Sequence, residues 1–411
     1  MKKTLAWAVT AVTAATCVLG ASLPAAAADD TTATAATAAA EASAYGPDTS
    51  SLNPQQRDLI DKLLAAMPAG WQERAAATAA EYGMDDTQWA NILNSAINPG
   101  HYQCKNTELT AYANDTLKDA DPVFWWVLGM LRVGDLAMYD AMATANDSKS
   151  NTFGVNGEYT NELTSEGKDL KKFWDINSDD IQIVPMHGGD VFSSPERLAR
   201  ALYMQVPIGS VEGKLPVARW LIELINSEPA LQGGANPYFT FNAIAYTEKG
   251  SPKTPRGLSD HIIVGDGILQ GMEAVGLGDT APRSILAHEF GHHVQFEDNL
   301  ISNTTLTGPE ATRRTELMAD AFGTYFLTHS RGEALNTKRV LDSEKSFYQV
   351  GDCGFDSYGH HGTPNQRLAA SAWAASVAND AANQGHILPS MKLDELFEAK
   401  LPDIVKPDAT N

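Results

Sequence analysis

Basic charge is scarce in this chain: Lys and Arg together number 30 against 51 Asp and Glu, a formal net charge of −21. Nucleic acid is thereby excluded as a partner, because holding it needs clustered cations that neutralise phosphates. Long apolar runs are missing beyond the N-terminus. The nearest, Val123 to Leu131, falls short of the ~18 or more uncharged residues of a membrane span and reads as a core helix. Cysteine is the third scarcity, with three residues, Cys17, Cys104 and Cys353.

The first of these lies in a leader. Met1-Lys2-Lys3 precedes an apolar stretch from Leu5 to about Leu23, then small residues Ala25 to Ala28 before Asp29 and Asp30. Charge, apolar run and small cleavage site in that order predict a secretory signal peptide over residues 1–28 and a secreted, extracellular protein. Cys17 lacks the Leu three residues upstream that lipid-anchored exported proteins carry, so soluble export is expected. Taking Lys2 and Lys3 from the 30 basic residues leaves 28 against 51 acidic ones, a formal charge of −23. Calcium would offset part of it, yet the one candidate loop, Asp147 to Glu158, fails: Lys149 and Thr152 stand where an acceptor and a Gly belong. In an oxidising compartment Cys104 and Cys353 most simply form one disulfide. The rival reading makes Cys104 a thiolate that caps a metal.

Residues 29–52, rich in Ala and Thr, bury too little to fold and read as a disordered lead. Asn53-Pro54 resembles a helix cap with Pro at the first helical position, and Leu59, Ile60, Leu63, Leu64 and Met67 follow at helical spacing. Residues 53–147 read as helical, with Trp71, Trp89, Trp125 and Trp126 as core. The polar stretch Ser148 to Gly157 is the candidate boundary. Beyond it, over 158–411, the texture is mixed. Ile181 to Val184, Tyr238 to Thr247 and His261 to Val264 read as strands, and Ser194 to Met204 and Pro216 to Ile225 as helices. The fold class is α+β.

His288-Glu289-Phe290-Gly291-His292 is an H-E-x-x-H pentad. Positions i and i+4 lie about 40° apart around a helix, so His288 and His292 can share one ion while Glu289 reaches its water. Thr280-Ala281-Pro282 would open that helix with a capping hydroxyl and an early Pro. His293 points away and is not expected to be a ligand. A second helix, from near Pro309 to about His329, carries Glu316 and Asp320 on one face. Glu316 completes a His2Glu set with a fourth position open to water, the pattern of catalytic Zn2+. Asp320 would accept the far N–H of a ligand imidazole.

At these residues the chain resembles the gluzincin metallopeptidases, and among them soluble relatives of the CAAX-protease family. Asn242-Ala243-Ile244-Ala245 is similar to that family's edge strand, His261 to Leu269 to its strand leading into a helix, and His361-Gly362-Thr363-Pro364-Asn365-Gln366-Arg367 to its late segment. The resemblance covers about residues 238 to 370. It implies a zincin-like catalytic domain, mainly helical, with a small sheet packed on the H-E-x-x-H helix behind a helical N-terminal region. It further implies that Glu316 is the third ligand and Asp320 the partner of His288. Asn242 and Ala243 would pair with substrate backbone, His361 would stabilise the oxyanion, and Arg367 would orient the acidic cluster. Gly362 stands where the family usually has Pro, which leaves His360 as an alternative to His361. The membrane helices of the CAAX proteases are absent, which argues against a prenylated substrate.

The expected activity is zinc-dependent endopeptidase action on protein or peptide substrates, with Glu289 as general base. An aminopeptidase, a cell-wall peptide hydrolase and a non-catalytic binding protein that keeps the zinc site remain as alternatives.

Overall fold

The computed structural model describes residues 49–81, 103–105, 107–144, 151–249, 258–353, 360–380, 382 and 385–408. The signal peptide, most of the Ala/Thr-rich lead and Trp89 lie outside them. Five helices stand before residue 145 among the described residues: α1 (Pro54–Ala66), α2 (Trp71–Glu81), α3 (Glu108–Asp115), α4 (Pro122–Met130) and α5 (Leu136–Thr144). Then come α6 (Thr160–Phe173), β1 (Gln182–Met186), α7 (Gly188–Ser193), α8 (Pro195–Gln205) and α9 (Val211–Asn226). β2 (Ala243–Tyr246) and β3 (His261–Gly265) lead into α10 (Asp266–Ala274), α11 (Ala281–Glu297) and α12 (Pro309–Thr328). The chain closes with α13 (Thr337–Gln349), α14 (Pro364–Ala378) and α15 (Ser390–Ile404). The architecture is mainly helical with one small sheet, in keeping with an α+β class, and no described helix is long and apolar enough to cross a membrane.

Local chemistry explains most boundaries. Asn53 Oδ1 accepts the Gln56 N–H at 2.9 Å and Gln56 Oε1 accepts the Asn53 N–H at 3.0 Å, a reciprocal cap that starts α1. Helix α9 begins earlier than Pro216 suggests, because Ser210 Oγ accepts the Gly213 N–H at 3.2 Å and caps it upstream. The strand expected over Tyr238 to Thr247 is only half a strand. Asn236 caps a 3-10 turn over Pro237–Thr240, its Oδ1 accepting the Tyr238 N–H at 2.9 Å, and extended pairing waits until Ala243.

The sheet runs β1-β3-β2, with β1 parallel and β2 antiparallel to β3. Side chains on a strand alternate between faces, and here both faces are covered. Val184, Met186, Ile244, Tyr246 and Ile263 join one apolar cluster with Leu63 of α1, Phe124 of α4, Tyr139 of α5, Leu198 of α8 and Leu221 of α9. Ile183, Ala243, Ile262 and Val264 join the other with Leu170 of α6, Ile268 of α10, Leu286 of α11, Phe322 of α12 and Phe397 of α15. The sheet is a shared wall between two cores, and the second core carries the candidate site. Trp71, Trp125 and Trp126 pack against the first core, as aromatics at helical spacing should.

One buried charge position departs from this apolar logic. Glu166 on α6 is 0% exposed and neither carboxylate oxygen has a hydrogen-bond partner. Burial pushes its pKa well above 4.5, with Glu333 adding to the rise and Arg283 opposing it. The folded chain therefore holds this proton to higher pH than the unfolded chain does, and stability falls as pH rises from the ordinary carboxyl range. Each unit of displacement is worth about 1.4 kcal/mol. Glu166→Gln is expected to raise the melting temperature little at pH 5 and progressively more toward pH 8. A gain that does not grow with pH would show that Glu166 titrates alike in the folded and unfolded chain.

Candidate metal centre

Helix α11 opens with Pro282 in its first turn, but the expected Thr280 hydroxyl cap is absent. Its Oγ1 is buried without a partner. Backbone bonds fix the start instead, from Ala281 N–H to Leu277 O at 2.8 Å and from Ser284 N–H to Thr280 O at 3.1 Å. One turn apart on this helix, His288 and His292 bring their Nε2 atoms to 3.2 Å. Glu316 comes from α12, with Oε2 3.4 Å from His288 Nε2 and Oε1 3.4 Å from His292 Nε2.

Two glycines let α12 come this close. A Cβ added to Gly291 would stand 3.0 Å from Ala319 O, and one added to Gly323 would stand 3.0 Å from His288 N. Any larger side chain must push the helices apart. Gly323→Leu is therefore expected to lower metal affinity by 10-fold or more, on the order of what losing a partner of a ligand costs. Titration against a competing chelator checks it, and wild-type affinity in a folded variant would remove the close-approach argument.

His288, His292 and Glu316 are the one group of three metal-binding side chains found together among the described residues, and all three are buried. An ion bound tetrahedrally at about 2.0–2.1 Å sets its ligand atoms roughly 3.3–3.4 Å apart, which these donors match. Both Glu316 oxygens lack a hydrogen-bond partner, a costly state for a buried carboxylate that a cation would relieve. The group can hold a metal ion. Ligand orientation is set from behind. His288 Nδ1–H donates to Asp320 Oδ1 at 2.8 Å, and Arg367 grips Asp320 twice, Nε to Oδ2 at 2.8 Å and Nη2 to Oδ1 at 2.6 Å. His292 Nδ1–H donates to Gln295 Oε1 at 3.0 Å, and Gln295 Nε2 donates to Thr315 O at 2.7 Å. Both imidazoles thus present Nε2 lone pairs to one point. His293 turns away, its Nε2–H donating to His261 O at 3.0 Å, which ties α11 to β3.

Burial lowers the His292 pKa to about 4, so this ring stays neutral and ready to bind. Burial also works against a charged His288, but Asp320 and Glu316 outweigh it and raise the pKa to about 9. A bound metal ion would take the place of that proton. Burial alone would raise Glu316, yet His292 and His288 hold it far below the usual carboxylate range. Glu289 goes the other way: burial pushes it up to about 8.

Glu289, His288 and His361 line a common cleft whose other walls include Ala243, Ile268, Met272, Ile285 and Phe347. Glu289 Oε2 and His361 Nε2 have no partner there. Ala243 opens the edge strand β2 beside them, whereas the Asn242 carbonyl is turned to β3, accepting the Gly265 N–H at 3.0 Å. Of the two neighbouring histidines His361 faces the cleft, and His360 does not line it. Gly362 explains the departure from Pro after His361: its φ is +97°, a left-handed value closed to proline. Asp352, which the sequence did not single out, bonds both histidines, Oδ1 to His360 Nδ1 at 2.7 Å and Oδ2 to His361 Nδ1 at 2.9 Å. Burial disfavours charge on His361, but Asp352 and Glu316 more than offset it and raise its pKa. Gln295, three residues beyond His292, could have been found from helical spacing; Asp352 had no such signal. Cys104 and Cys353 form a disulfide, which removes the thiolate-cap alternative. Comparison with protein-family models, with curated proteins and with solved structures returns no match.

Proposed function

We propose that this protein is a secreted zinc-dependent endopeptidase with a zincin-like core, similar to soluble relatives of the CAAX-protease family. The observation that carries the reading is the convergence of three buried donors at tetrahedral spacing beside a cleft lined by Glu289 and His361. Two His and one Glu are the donor set of catalytic zinc, which when bound supplies Lewis acidity and lowers the pKa of a water toward ~7. The chain's own residues handle the protons. Glu289 takes one from the attacking water and passes it to the amine nitrogen as the C–N bond breaks. His361, with Nδ1 engaged by Asp352, directs Nε2–H at the carbonyl oxygen as that oxygen gains charge. Ala243 begins β2, the outer strand of the sheet beside the cleft, a place that suits recognition of an extended peptide backbone. The leader pattern and the disulfide support export.

A casein or peptide-library digest tests the proposal. Cleavage is expected, stopped by a chelator and restored by zinc. Intact substrates with zinc-loaded protein would sink it, and cleavage confined to one terminal residue would replace it with an aminopeptidase.

A further inference from the structure

Residues 103–105 and 107–109, from the helical N-terminal region, bond to the segment that carries Asp352. Gln103 bonds Asp408 twice, backbone N–H to Oδ1 at 2.7 Å and Nε2 to the backbone O at 2.8 Å; Asp408 Oδ2 accepts from Asn365 Nδ2 at 2.8 Å. Cys104 is disulfide-bonded to Cys353. Thr107 Oγ1 donates to Gln349 O at 2.7 Å, and the Leu109 N–H to Gln349 Oε1 at 3.1 Å. Between these anchors stands Asp352. It accepts the His361 backbone N–H at 2.7 Å as well as bonding its ring, and its own N–H donates to Gly362 O at 3.1 Å.

One carboxylate thus fixes the backbone and the imidazole of the histidine that faces the cleft. Residues 350–353 belong to no helix or strand. Beside the Asp352 N–H bond to Gly362 O, the covalent link from Cys353 to Cys104 is what ties this stretch to the rest of the fold.

We propose that Asp352 is a positioning residue for His361 and that the Cys104–Cys353 disulfide secures it, so that the peptidase reaches full turnover only with this bond closed. The proposal rests on the peptidase reading above. An imidazole must sit within a few tenths of an ångström of its productive place, and a displacement of about 1 Å can cost 10²-fold in rate. Opening the link removes the covalent hold on residues 351–353 while leaving His288, His292 and Glu316 untouched, since neither sulfur belongs to the metal group. Cys353 is exposed, so a reductant can reach it. A trialkylphosphine serves: phosphorus attacks one sulfur, the S–S bond breaks, and water hydrolyses the adduct. The phosphine leaves as its oxide, and the two protons of that water end on the Cys104 and Cys353 thiols.

The test uses full-length, zinc-loaded protein as wild type, as the double variant Cys104→Ser/Cys353→Ser, and as Asp352→Asn. Metal content and a cooperative melt are expected to persist in all three. Both variants should lose about 10-fold or more in kcat with KM changed less than about 2-fold, because the effect falls on the developing oxyanion. Phosphine should bring folded wild type to the rate of the double variant, air reoxidation should restore it, and the double variant should ignore both. Histidine 1H–15N spectra read the Asp352 to His361 Nδ1 bond without turnover, and its proton signal should be lost or exchange-broadened when the disulfide is absent. Wild-type kcat in a folded, zinc-loaded double variant would overturn the proposal, as would an unchanged His361 Nδ1 signal. If wild type cleaves nothing, the peptidase reading fails by itself, and the spectra still decide whether the disulfide holds His361. Should the double variant not fold, phosphine treatment of folded wild type decides.

Discussion

Glu289→Gln is expected to keep its metal and lose peptide hydrolysis by about 10²–10⁴ in kcat, the range that a positioned general base contributes. Gln matches the size of Glu and fits the same buried place, where only 2% of Glu289 is exposed, so the fold should not register the change. What disappears is a carboxylate able to take a proton. Metal analysis and kcat measured on the same preparation check the expectation. Full activity in a metal-loaded variant would refute the proton-transfer role.

Glu316→Ala should instead cost the metal. The carboxylate is 0% exposed, both oxygens lie 3.4 Å from a ligand nitrogen, and Ala leaves two imidazoles facing an empty corner. The loss of affinity should exceed the about 10–100-fold that follows from removing a partner behind a ligand, such as Asp320. Zinc content after dialysis against a weak chelator measures it, and a stoichiometric ion in the variant would strike Glu316 from the ligand set.

The donors of this site were legible because their spacing is local. His288 and His292 lie one helical turn apart, Glu316 and Asp320 likewise, and an α-helix turns each spacing into a shared face without help from the rest of the chain. The cap at Asn53 and the strand at His261 to Val264 were legible for the same reason. Features made by distant segments were not. Gly291 and Gly323 matter only once α11 and α12 touch, and Asp352 meets His361 across a loop with no periodicity. Thr280 shows the converse error: a good capping residue in the right place whose hydroxyl makes no cap bond, the Ala281 and Ser284 N–H groups going to the backbone carbonyls of Leu277 and Thr280. At Pro237–Thr240 an Asn-Pro turn signal overrode an aromatic, strand-like composition.

The sheet with greasy layers on both sides bears on how the protein can mature. The stretch before residue 145 shares the first core with Val184, Met186, Ile244 and Ile263 of the sheet, so separating the two parts would bare some of that apolar face. A single cut between residues 144 and 151 would leave two pieces still joined by the Cys104–Cys353 bond. Release of the leading piece would have to break that bond and uncover the apolar face it shares with the sheet.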